Sequence, residues 1–76
     1  MEIDNFEDII LIEFRRIKPA YSKECPGEAL DSLDRIELLE NLEAILKIDL
    51  LYLLTHKDTW STFDGFIRVL RNEMVK

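Results

Sequence analysis

The stretch Asp31-Ser32-Leu33-Asp34-Arg35-Ile36-Glu37-Leu38-Leu39-Glu40-Asn41-Leu42-Glu43-Ala44-Ile45-Leu46 decides the fold. Leu38, Leu39, Leu42, Ile45 and Leu46 share one arc of a helical wheel, and Glu37, Glu40 and Glu43 lie opposite. Asp31 or Ser32 can act as N-cap, its side-chain oxygen accepting an orphan N–H of the first turn. No Pro or Gly interrupts the run, so it predicts a helix from about 31 to 46 with one core-facing side. Three residues depart from this pattern. Leu33 and Ile36 are apolar on the outer side, and Arg35 is charged on the interior side.

Working outward, Ile3, Phe6, Ile10, Phe14 and Ile17 form a helical stripe flanked by Ile9, with Glu7, Asp8, Arg15 and Arg16 off it. This predicts a helix from about Asp4 to Ile17, capped by Asp4 or Asn5. Arg15, Arg16 and Lys18 suit its C-terminal dipole, and Pro19 stops it. A loop follows from about Lys18 to Leu30, containing Pro19, Ser22 and the turn signal Cys25-Pro26-Gly27. It is long for a connection between packed helices, so it is expected to cross the domain or serve a function. On the other side, Ile48 to Leu54 is short and nearly all apolar, with Asp49 as candidate cap of a brief third helix. The last helix is expected after Asp58-Thr59, either of which can cap it. It carries Trp60, Phe63, Phe66, Ile67 and Leu70 on one face, and Ser61, Asp64, Arg68 and Asn72 on the other. Gly65, mid-helix, costs about 1 kcal/mol relative to Ala and is read as allowing close helix packing. With no alternating strands and no hairpin signals, the expectation is all-α: a small four-helix bundle with a short third helix, one domain over residues 1–76.

A chain of 76 residues, 47% hydrophobic, can build a core, but a thin one. Cys25 is the only cysteine, which excludes an internal disulfide and a thiolate cluster for structural zinc. Packing alone must hold the fold. Sixteen acidic against ten basic residues give a formal charge of -6. That balance argues against nucleic acid and against anionic membrane surfaces, and favours partners with basic patches. No apolar stretch is long enough for a membrane span, and the acidic N-terminus does not resemble a signal peptide. One unpaired cysteine fits a reducing compartment, so a cytoplasmic location is expected, and the chain is expected to be a monomer.

Catalytic constellations are missing from the sequence. His56 is the single histidine, so there is no His-pair metal site and no spare base for a Ser-His-Asp arrangement; it reads as a solvated loop residue. Cys25 reads as a half-buried turn residue, and the carboxylates as solvated helix faces. Gly27 and Gly65 alone cannot make a glycine-rich phosphate loop. The chain is expected not to be an enzyme. Ser32 remains, with two physical readings. It is a simple N-cap, or it is an exposed hydroxyl at a helix N-terminus, where N–H groups and the dipole suit a covalently attached phosphate. Asp31 and Asp34 would repel that phosphate somewhat.

Leu30-Asp31-Ser32-Leu33-Asp34, followed by Ile36-Glu37-Leu38-Leu39, Leu42-Glu43 and Ile48-Asp49-Leu50, resembles the signature of acyl carrier proteins over essentially the whole chain. The resemblance implies a four-helix bundle of the acyl-carrier type. It also implies a 4'-phosphopantetheine arm transferred from coenzyme A onto Ser32 by a phosphopantetheinyl transferase, with Asp31 and Leu33 as its flanking motif. The arm's thiol would hold acyl groups as thioesters for delivery to acyl-transferring, ligating or condensing enzymes with basic docking patches. Recognition is implied for the second long helix, where Leu33 and Ile36 become apolar contacts among Asp34, Glu37, Glu40 and Glu43. Arg35 stands where the family often has a small residue, and would snorkel outwards or narrow the mouth of an acyl-binding cavity. Lys47 stands in place of the glycine that commonly ends this helix, and Leu50 to Leu54 is more apolar than the third helix of housekeeping relatives. Primary fatty acid synthesis, a specialised acyl or polyketide pathway and an aminoacyl or peptidyl carrier role all stay open. Two other readings are an unmodified carrier-like interaction module and a helix-turn-helix DNA binder, the latter opposed by the acidic helix.

Overall fold

The computed structural model describes the backbone of residues 2–75 and the side chains of residues 6–75. Its elements in chain order are α1 (Glu2–Ile17), α2 (Pro26–Ala29), α3 (Ser32–Leu46), two 3-10 turns (Leu51–Thr55 and Lys57–Trp60) and α4 (Phe63–Met74). No strand occurs among the described residues, as expected.

The stripe on α1 turns inward as its spacing requires. Ile10 and Phe14 are fully buried, while Phe6, Ile9 and Ile17 are half-buried at its edges. The Ile3 side chain lies outside the described residues. Asp4 and Asn5 do not cap α1 but lie within it, because the helix begins earlier, at Glu2; acidic residues in a first turn suit the positive end of the dipole.

The long connection from Lys18 to Leu30 crosses the core. Tyr21 stacks on Phe14 at 4.4 Å, and its hydroxyl donates to the Glu24 carbonyl at 2.5 Å. Burial and the neighbouring Glu24 push that phenol well above its ordinary pKa, so it stays protonated. Arg15 Nε donates to the Tyr21 carbonyl at 2.8 Å, tying the loop to α1. The single-turn α2 lies inside this connection, with Pro26 at its start, where a missing N–H costs nothing.

On α3 the buried residues are Leu38, Leu39 and Leu42. Ile45, expected in the core, is 44% exposed, because it sits at the edge of the stripe in the helix's last turn. Lys47 ends α3 in the left-handed region at φ 63°. The expected third helix is instead the two 3-10 turns. Asp49 does not cap the first of them; Glu43 Oε2 does so from α3, accepting from Leu50 N at 2.6 Å and Leu51 N at 3.0 Å. These contacts satisfy N–H groups that a helix start leaves orphaned.

The last helix starts later than expected. Its cap is Thr62, whose Oγ1 accepts from Gly65 N at 2.9 Å, and not Asp58 or Thr59. Thr59 is fully buried, its hydroxyl paired with His56 Nδ1 at 2.8 Å, and so is unavailable to α4. Gly65 serves this cap and not helix-helix packing: a Cβ there would approach Thr62 Oγ1 to 3.0 Å. Trp60, on the second 3-10 turn, joins Phe63, Phe66, Ile67 and Leu70 in the core.

Because a side chain at positive φ is strained where glycine is not, Lys47→Gly is expected to stabilise the fold by about 0.5–1 kcal/mol. Urea unfolding followed by circular dichroism measures this, and an unchanged or lower midpoint contradicts it.

Candidate functional site

The junction between α2 and α3 is built from the buried Leu30 outward. Leu30 is 2% exposed and closes α2, its N–H donating to the Pro26 carbonyl at 3.1 Å. With Leu30 anchored, Asp31 adopts extended backbone and becomes the N-cap of α3, its Oδ1 accepting from Asp34 N at 2.8 Å. The capping duty thus belongs to Asp31. Ser32 is the first helical residue, exposed, and its hydroxyl makes no hydrogen bond to any described residue.

Around this hydroxyl, Leu33 projects with 76% of its surface in water. Asp34 is half-buried, and Lys18 Nζ stands 3.9 Å from its Oδ2. Lys18 was not anticipated from the sequence, where it belongs to the end of α1. It offsets acidity beside Ser32 and brings a cation towards the start of α3. Glu37 and Glu40 are exposed one and two turns further on. Glu43 and Ile36 do not continue that outward face. They lie seven residues apart, on the side of α3 that meets the 3-10 turns; both are half-buried, and the Glu43 carboxylate is engaged by backbone N–H groups. Nothing local predicts this, since the groups that Glu43 serves come from another element.

Arg35 points inward, as its place on the wheel requires. Nε donates to the Leu30 carbonyl at 3.2 Å, and a terminal nitrogen donates to the Gly27 carbonyl at 2.6 Å. The guanidinium lies 5.4 Å from the centre of the Trp60 ring. Trp60 is held in turn by its own Nε1, donating to the Leu53 carbonyl at 2.8 Å. Outside this assembly runs an open groove of about 620 Å³, lined by Gly27, Glu28, Arg35, Leu54, Lys57 and Trp60 among others. Cys25 borders it, half-buried as expected, its Sγ donating to the Trp60 carbonyl at 3.4 Å.

Among the described residues no group of His, Cys, Asp and Glu could hold a metal ion, and no helix is long and apolar enough to cross a membrane. No family model matches the chain, and neither does any curated protein or solved structure.

Since Asp31 caps α3 and Ser32 does not, Asp31→Ala is expected to cost about 1 kcal/mol of stability, and Ser32→Ala less than about 0.5 kcal/mol. Equilibrium unfolding of the two variants separates the roles; equal losses would return the cap to Ser32.

Proposed function

We propose that the chain is an acyl carrier whose Ser32 hydroxyl takes a 4'-phosphopantetheine arm from coenzyme A. The observation that carries this reading is the division of labour at the start of α3. Asp31 satisfies the cap, which leaves Ser32 exposed and unengaged, accessible to a modifying enzyme. The residues present fit the group. A first helical turn has N–H groups without intrahelical acceptors, the dipole there favours an anion, and Lys18 adds a nearby cation. The all-α bundle is consistent with the resemblance of Asp31-Ser32-Leu33 and its surroundings to the carrier signature. When bound, the arm supplies a thiol that holds acyl groups as thioesters. The reacting groups then belong to the partner enzymes, and this chain positions the cargo.

Leu33, with Glu37 and Glu40 beside it, is the proposed docking face. An exposed leucine supplies apolar contact, and the carboxylates steer basic partners towards it. Glu43 contributes through the fold, by holding the first 3-10 turn.

Incubating the protein with coenzyme A and a broad-specificity phosphopantetheinyl transferase is expected to add one phosphopantetheine to the intact mass, and none to Ser32→Ala. No gain with several transferases would sink the carrier reading and favour an unmodified interaction module. The double variant Glu37→Lys, Glu40→Lys is expected to slow transfer by the transferase about tenfold at low salt, with the gap closing as salt rises. A salt-independent difference would remove the steering role.

A further inference from the structure

We infer that Arg35 is a strap that keeps whatever Ser32 carries out of the apolar interior, so that this chain suits short or polar acyl groups and not long alkyl chains. The inference rests on the carrier reading for its meaning, but not for its test. An alkyl chain tethered at Ser32 would gain by leaving water. Arg35 lies one turn on from Ser32, on the same stripe of α3 as the buried Leu38 and Leu42, and over that interior. An apolar or small residue would leave this position soft. Arg35 instead ties three elements together: its guanidinium holds the Gly27 carbonyl on α2 at 2.6 Å and the Leu30 carbonyl before α3 at 3.2 Å, and it covers the Trp60 ring of the second 3-10 turn. Bonds from a charged donor are among the stronger ones, and entry of a chain here has to break them.

The contact between these elements is already close. A Cβ on Gly27 would stand 3.0 Å from the Trp60 carbonyl oxygen, so it is the glycine that lets α2 lie this close to the second 3-10 turn. The open groove that Arg35 borders, lined also by Glu28, Leu54, Lys57 and Trp60, runs outside the bundle.

The test uses the unmodified chain, its Arg35→Ala variant and its Arg35→Met variant, titrated with decanoate by calorimetry and by thermal melting. The wild-type melting temperature is expected not to move with decanoate, while Arg35→Ala binds it at least about tenfold more tightly. Arg35→Met fills the space without the hydrogen bonds and is expected to fall between them. In a second arm, wild-type protein loaded with acetyl to dodecanoyl groups is expected to melt at one temperature whatever the chain length. Decanoate binding by the wild type as tight as by a folded Arg35→Ala, or a wild-type melting temperature that climbs with chain length, would overturn the inference. The wild-type readings stand even if a variant fails to fold. Decanoate needs no arm, so failure of Ser32 to load counts against the carrier reading alone.

Discussion

Phe14 stacks on Tyr21 and receives Phe63 and Phe66 near edge-on, at 5.7 and 5.2 Å between ring centres. Through this one side chain, α1, the long connection and α4 share a single core. The chain has no disulfide to substitute for it. Aromatic rings suit the task because each buries a large area and their offset and edge-on pairings add to simple burial. The connection from Lys18 to Leu30 is the main beneficiary. Ordering a connection of that length costs substantial conformational entropy, which buried contacts must offset. Tyr21 and Leu30 anchor it inside, and the anchored end is what delivers Asp31 and Ser32 to one defined place.

At that place, two adjacent residues capable of the same job are separated by backbone geometry. The extended conformation at Asp31 puts its carboxylate over the Asp34 N–H, and the following residue is already helical. A serine that is not needed as a cap keeps its hydroxyl for other chemistry. This is the structural sense in which the site suits a covalent attachment.

Polar side chains on α3 then hold the region without entering the apolar core. Arg35 reaches to α2 and Trp60, and Glu43 reaches to the first 3-10 turn. Both satisfy backbone groups at the ends of very short elements, where an isolated turn would have too few internal bonds to persist. Two charged residues on one long helix thereby help to order three segments too short to order themselves.

The helical periodicities of α1, α3 and α4 were legible in the sequence because repeated apolar spacing is a local property, written in each segment's own residues. The buried Phe14, Phe63 and Phe66, the exposed Leu33 and the inward place of Arg35 followed from the same geometry, whereas the buried Tyr21, in the connection, did not. Other features were decided only by tertiary structure. Caps shifted from Thr59 to Thr62, since Thr59 is consumed by His56 and buried. Glu43 and Ile36 left the outer face because the 3-10 turns pack on that side of α3, and Ile45 is partly exposed because it sits at the edge of the apolar stripe. The choice between Asp31 and Ser32 as cap belongs with these. Either residue type can cap, and only the conformation imposed by the buried Leu30 selects one and frees the other.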